Sequence, residues 1–517
     1  MSRTPLHDLL QKALRKATLE DHTDIVPSRR DFLRTAGLAG AAVTLPSWLS
    51  ACRRPQDVPI SHHHRVVIVG AGIAGLHAAW ILRHKGVAAT VFEGSARTGG
   101  RIMTSTNFLV RDSWTELGGE YIDSTHTDML ALADKFGLER IDLSSPDFGQ
   151  YDDVYFFEGR RYTQSDIVAA LLPVLPEIRK HVSMLPHDYR QLANSPSAAF
   201  DTMSLEAYFT SLGLTGWIRS FLDSAFITEN GLEPGEQSAL NFLSLVDTDV
   251  SEGVFRQYGD SDERYKIRGG NQRITDRLSA DLGPQIRTGH RLEAMKKTST
   301  GYRLTFRKDQ HVLDIDADHV LLTVPWTILR TIDLDIDLPA DKQHMIQNLS
   351  YGSNAKIMVG FDEPFWHSSG DNGFVYSDSE LQLVWDNTAL QGAKGAGLTF
   401  YTGGSMCRLL GALTTKDAAE RVLAELPAIW PQSSQVEPGR IQRMQWTGYP
   451  WIKASYSTYG PGQWTAYYGK EFTSVGNVHF AGEHCSERFR GYMNGAAETG
   501  RRAATNILAA IGAHVGA

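Results

Sequence analysis

The sequence predicts an α/β fold that opens with a parallel sheet at about residue 65. Three observations predict it. Arg65-Val66-Val67-Ile68-Val69 is a short, continuous apolar run of the kind that a strand buried on both faces requires. Gly70-Ala71-Gly72-Ile73-Ala74-Gly75 follows at once and leads into helical spacing from Leu76 to His84. A second strand, Ala88 to Phe92, ends on the acidic residue Glu93.

Each part of this Rossmann-like unit has a physical task. Gly70 permits the tight turn, Gly72 puts no side chain in the way of a pyrophosphate, and Gly75 lets helix and strand pack closely. The helix N-terminus offers free N–H groups and the positive end of its dipole to phosphates. Glu93 lies at the end of the second strand, where its carboxylate can accept hydrogen bonds from ribose hydroxyls. The unit alone does not distinguish NAD from FAD. The continuation Ala96-Arg97-Thr98-Gly99-Gly100-Arg101-Ile102 does, because a glycine doublet and arginine just past the acidic residue resemble the FAD-dependent, glutathione reductase-like enzymes. Arg101 then faces the pyrophosphate, where guanidinium pairs well with phosphate oxygens.

The chain of 517 residues is 42% hydrophobic and 21% charged, a globular profile long enough for two to four packed units. Its formal net charge is −8, although the first 51 residues hold seven Lys/Arg against five Asp/Glu, so the acidic excess lies in the body. An acidic body argues against a broad nucleic-acid footprint and is compatible with a cationic small substrate. The three cysteines, Cys52, Cys407 and Cys485, have neither metal-ligand nor redox spacing, and no disulfide framework or metal site is expected.

Ser28-Arg29-Arg30-Asp31-Phe32-Leu33-Arg34, followed by a weakly apolar stretch from Thr35 to Trp48, has the form of a twin-arginine export signal. The stretch is too short and interrupted for a spanning helix. Leu49-Ser50-Ala51-Cys52 resembles a lipoprotein processing box, which makes Cys52 a candidate lipid anchor. The expected protein is therefore exported or periplasmic, with the twin-arginine machinery as a partner. Residues 53–64, with two prolines and the run His62-His63-His64, read as a solvated linker.

From about residue 65 to 510 the chain resembles the flavin amine oxidases. Glu116-Leu117-Gly118-Gly119-Glu120-Tyr121-Ile122 is similar to the family segment lining the flavin, and Gly269-Gly270-Asn271 to its helix-opening glycine pair. Ile286 to Leu292 resembles the segment whose backbone meets the adenine, with Leu292 where valine is commoner. Asp318 to Pro325 resembles the strand that re-enters the FAD domain. Val478 to His484 resembles the strand ending in Ala-Gly-Glu, in which Gly482 and Glu483 approach the ribityl or phosphate region. Gly491-Tyr492-Met493-Asn494-Gly495-Ala496 opens the last helix, whose N–H groups face the flavin pyrimidine oxygen and favour its reduction.

The resemblance implies FAD-dependent oxidation of a small amine. Hydride passes from the carbon next to nitrogen to flavin N5, the imine hydrolyses, and oxygen or another acceptor takes the electrons. Lys356, in a strand-like apolar run, matches the family lysine that holds a water near N5. Tyr456 and Tyr492 match the two walls of an aromatic cage, and Trp446 the tryptophan beside the flavin. Ser455 stands where monoamine oxidases carry a flavin-bonded cysteine, so the FAD is expected to be non-covalent. Glu120 and Tyr121 occupy the place where L-amino acid oxidases put a carboxylate-binding arginine. Glu120 is therefore expected to attract an ammonium and repel a carboxylate. Oxidation of L-amino acids, and a desaturase-like or protoporphyrinogen oxidase-like activity on the same fold, stay open.

The expected organisation is an export segment 1–52, a linker 53–64, and a discontinuous FAD-binding domain of residues 65–119, 260–330 and 470–517. Residues 120–259 and 331–469 form an interleaved α+β substrate domain, with a helical lobe at about 163–250. A homo-oligomer is compatible with this reading.

Overall fold

The computed structural model describes residues 61–146 and 149–512. The export signal and Cys52 lie outside these residues.

A five-stranded parallel sheet has the order Val478–Phe480, His319–Leu322, Ser61–Val69, Val87–Phe92, Ile286–Arg287. Its strands come from three distant stretches of the chain. The first starts at Ser61, four residues earlier than the apolar run predicts, so the histidine run expected as a linker belongs to the strand. Side chains alternate across the sheet. Val66 and Ile68 pack beneath the helices Ile73–His84, Gln272–Leu282 and Met493–Ala510. Val67 and Val69 pack against Leu304 and Phe306 of a four-stranded sheet on the opposite face. That second sheet includes Asp333–Asp335, which pairs with Arg291–Thr298.

A seven-stranded mixed sheet has the order Ile441–Gln445, Asn354–Phe361, Ala396–Gly403, Leu383–Asp386, Asp371–Ser377, Asp152–Phe157, Arg160–Tyr162. Leu383–Asp386 is buried at all four positions, because the strand is covered on both faces. Helices between Gln164 and Leu243 pack on this sheet through Phe221, Phe226, Phe242 and Trp385. One element departs from the expected partition. Helix Thr127–Lys135 puts Met129, Leu132 and Ala133 into the helical layer of the parallel sheet, with Asn494 of the last helix accepting from the N–H groups of Asp128 and Met129. Its apolar stripe matches that layer, and sequence adjacency to the second sheet did not decide its place. No described helix is long and apolar enough to cross a membrane.

Candidate active site

One continuous cavity runs between the two sheets. Its first end is built from backbone. Gly72 faces Gly100, and a Cβ on Gly100 would lie 3.1 Å from the Gly72 Cα, so side chains here would fill the cleft. Ile73 opens a helix that has no side-chain N-cap, leaving its first N–H groups for an anion. Glu93 accepts from the N–H groups of Ala71 and Ser95, both at 2.8 Å, and each oxygen keeps a further lone pair. Ala74 and Leu292 also line this end. Gly75 does not line it. A Cβ there would sit 2.0 Å from the Gly70 oxygen, which is the close-packing role expected of it.

The middle of the cavity is held by two charged groups. Arg101 Nη1 donates to the Ser455 oxygen at 2.7 Å and to Glu483 at 2.9 Å. Glu483 also accepts from the Ser457 hydroxyl at 2.9 Å and the Gly491 N–H at 3.1 Å. Burial pushes its carboxyl up, but Arg101 and its hydrogen bonds outweigh that and hold it below the ordinary range. Glu483 therefore ties together the residues next to Tyr456 and Tyr492. Trp446 donates to the Leu117 oxygen at 3.1 Å and lies against Gly118. Gly119 packs against Met493, where a Cβ would meet the sulfur at 2.7 Å. Gly482 joins this wall. Ser455 Oγ donates to Asn354 at 2.7 Å.

The inner end is built from side chains. The Tyr456 hydroxyl lies 3.0 Å from that of Tyr401 and donates to the Thr228 oxygen at 3.1 Å. The Tyr492 hydroxyl donates to Glu229 at 3.3 Å. Burial pushes the Glu229 carboxyl up to about 7 and that of Glu263 up to about 8. Burial likewise raises Asp123 to about 6. Of the arginines lining the cavity, Arg101 belongs to its middle and Arg97 and Arg291 to the opposite end.

Two expectations change. Lys356, 5% exposed, donates to the oxygens of Glu116 at 3.1 Å and Gly118 at 2.9 Å, and to Glu120 at 2.8 Å. These partners take all three N–H bonds of the ammonium, so the water expected at its tip has no donor there. Glu120 is not a free anion facing the cavity either. Its second oxygen accepts from Lys266 at 2.8 Å, and the two ammoniums outweigh burial to hold the carboxyl below its usual range. An acid flanked by two cations does not select ammonium over carboxylate, and that argument falls. Tyr121 lines the cavity beside Trp385, their ring centroids 6.0 Å apart.

Sequence reasoning passed over Glu229, Glu263, Asp123 and Lys266. Glu229 reads as a solvated helix end before Gly231, and Glu263 sits in a long irregular segment. One signal was available: Lys266 lies in the apolar strand Tyr265–Ile267, where a lysine needs a buried partner.

A nucleotide cofactor fits this cleft. The glycine-lined approach, the uncapped N-termini of helices Ile73–His84 and Met493–Ala510, and Arg101 would suit a pyrophosphate-linked dinucleotide. Fold and cleft together define an FAD-dependent oxidoreductase. Residues 73–508 match the flavin-containing amine oxidoreductase model, and the chain belongs to that family. It is an amine oxidase with FAD as cofactor. The FAD is held without a covalent bond, since Ser455 offers only a hydroxyl and neither Cys407 nor Cys485 lines the cavity.

The chain is 26% identical over 462 residues to a flavin-containing amine oxidase of Oncorhynchus mykiss, covering 86% of each chain. It is 24% identical over 463 residues to an L-amino acid dehydrogenase of Synechocystis sp., covering 86% of this chain and 94% of that one. Cyclohexylamine oxidase from Brevibacterium oxydans shares the fold with a TM-score of 0.75 at 23% identity, over 87% of this chain and 99% of that one. Putrescine oxidase bound to putrescine does so at 0.73 and 23%, over 86% and 99%. Residues 26–46 match the twin-arginine signal sequence, which marks the chain for export by that machinery.

Proposed function

We propose that the protein oxidises a small amine without a carboxylate at the Tyr456–Tyr492 end of the cavity, in the periplasm, with oxygen as the electron acceptor. Cys52 is the proposed lipid anchor. The observation that carries the substrate reading is the distribution of ionisable groups in the cavity: the carboxyls of Glu229, Glu263 and Asp123 at the inner end, and no lining arginine there. The chemistry FAD supplies when bound is hydride acceptance at N5 from the carbon next to nitrogen, with the imine hydrolysed by water and the electrons passed on to give hydrogen peroxide.

The chain's own groups prepare the amine. Tyr456 and Tyr492 confine it sterically, and their π electrons favour the nitrogen. An ammonium must lose a proton before its α-hydride can leave. Glu229, raised to about 7, accepts that proton at its carboxylate, while the Tyr492 hydroxyl holds its other oxygen. Lys356 orients the segment 116–120 behind the flavin position through two carbonyls.

A second reading, oxidation of L-amino acids, draws on the likeness to the L-amino acid dehydrogenase. A substrate carboxylate would need a cation at the inner end, and the donors of Lys356 are committed. The test is anaerobic reduction of the purified holoenzyme by cyclohexylamine, putrescine and n-butylamine against a panel of L-amino acids, followed by flavin absorbance. Bleaching by amines alone supports the proposal. Bleaching by amino acids alone overturns it.

A further inference from the structure

Three buried charges form a line beside the flavin-lining segment. Lys266, 1% exposed, donates to one oxygen of Glu120, and Lys356 donates to the other, both at 2.8 Å. Lys266 donates also to the Asn387 oxygen at 3.0 Å. Lys356 spends its remaining donors on the carbonyls of Glu116 and Gly118. The charges come from three separate places: the strand Tyr265–Ile267, the loop after Gly119, and the strand Asn354–Phe361 of the seven-stranded sheet. The line therefore joins the two-stranded sheet of Arg140–Asp142 and Tyr265–Ile267 to the seven-stranded sheet at the cavity wall.

We propose that Glu120 is a positioning residue that fixes the Lys356 ammonium on the segment 116–120, and that Lys266 is the counter-cation that keeps Glu120 ionised. The inference rests on the reading of this segment as part of the flavin site and does not involve the substrate. A role in stability alone is a poor explanation, because a buried ion pair seldom adds net stability over apolar residues of the same volume. Geometry is what the line supplies. A protonated Lys356 has three donors for three acceptors on one short segment, whereas a neutral amine has two. Gly118 and Gly119, which that segment carries, lie against Trp446 and Met493 with no room for a side chain. A shift of the segment would reshape the wall on which the flavin ring rests.

The charge balance makes the variants distinguishable. Glu120→Gln leaves two ammoniums facing one amide, with no anion between them to hold Lys356 on the segment. Lys266→Met leaves Glu120 with one cation, so burial brings its protonation to higher pH. The double variant leaves a single ammonium on a neutral amide. The titratable groups facing the line are Glu116, Asp386, Glu263 and the Tyr121 phenol, and all remain in every variant. Glu116 is raised to about 7 and Asp386 to about 6, chiefly by burial.

The experiment is titration of deflavinated full-length protein with FAD by fluorescence quenching, from about pH 6 to about pH 9, with each variant compared with the parent at every pH. Glu120→Gln is expected to lose about tenfold in FAD affinity relative to the parent. Lys266→Met is expected to lose affinity relative to the parent as pH falls, because Glu120 then keeps one cation against burial. Glu120→Gln/Lys266→Met is expected to stay within about threefold of the parent throughout. A pH-independent ratio for Lys266→Met overturns the proposal even if Glu120→Gln fails to fold. A double variant as weak as Glu120→Gln overturns it also. Because no amine is present, failure here is separable from failure of the substrate reading.

Discussion

The two ends of the cavity are made differently. The dinucleotide end is backbone: glycines that leave room, helix N-termini that offer N–H groups, and Glu93 bonded to Ala71 and Ser95 within its own unit. The inner end is side chains gathered from afar. Glu229 comes from helix Gly216–Asn230, Tyr401 from strand Ala396–Gly403, Tyr456 from a loop and Tyr492 from the start of the last helix. The first kind of site tolerates almost no added atom. The second tolerates single changes but responds to charge, because every group there is desolvated.

The largest effect is expected at the backbone end. Gly75→Val places a Cβ 2.0 Å from the Gly70 oxygen and should cost at least about 4 kcal/mol, with loss of bound FAD. Flavin content and the thermal midpoint measure it, and a stable yellow variant would break the contrast. Glu229→Gln comes next. Because the folded carboxyl is raised from 4.5 to about 7, it is a stabilising proton holder at low pH and a buried charge at high pH. The apoprotein variant should match the parent at about pH 4 and exceed it by roughly 3 kcal/mol above about pH 8. Its amine turnover should lose the rise with a midpoint near 7 that the proton-accepting carboxylate gives. Equal thermal midpoints across that range would remove Glu229 from the desolvated cluster. Tyr456→Phe is the smallest change. It removes the hydroxyl between Tyr401 and the Thr228 oxygen and keeps the ring wall, so about 1 kcal/mol of stability and less than about tenfold in turnover are expected.

What was legible in advance follows the same division. The run from Arg65 to Glu93 announced a strand, a turn and a helix, because each of its tasks falls on neighbouring residues. The start at Ser61 was missed, since polar histidines give no strand signal. Helix Thr127–Lys135 was placed with the wrong layer, since its amphipathic pattern says that it packs but not on what. Glu120 was recognised as a cavity residue, yet its charge was read without the two lysines that neutralise it, which lie 146 and 236 residues away.

By itself the sequence determined the parallel-sheet unit, the FAD-type continuation and two tyrosines that line the cavity, because local spacing and residue type suffice for each. Only the tertiary structure decided the electrostatics of the inner cavity. A carboxyl's charge there depends on which buried groups face it, and those partners are assembled by the packing of one sheet against the other.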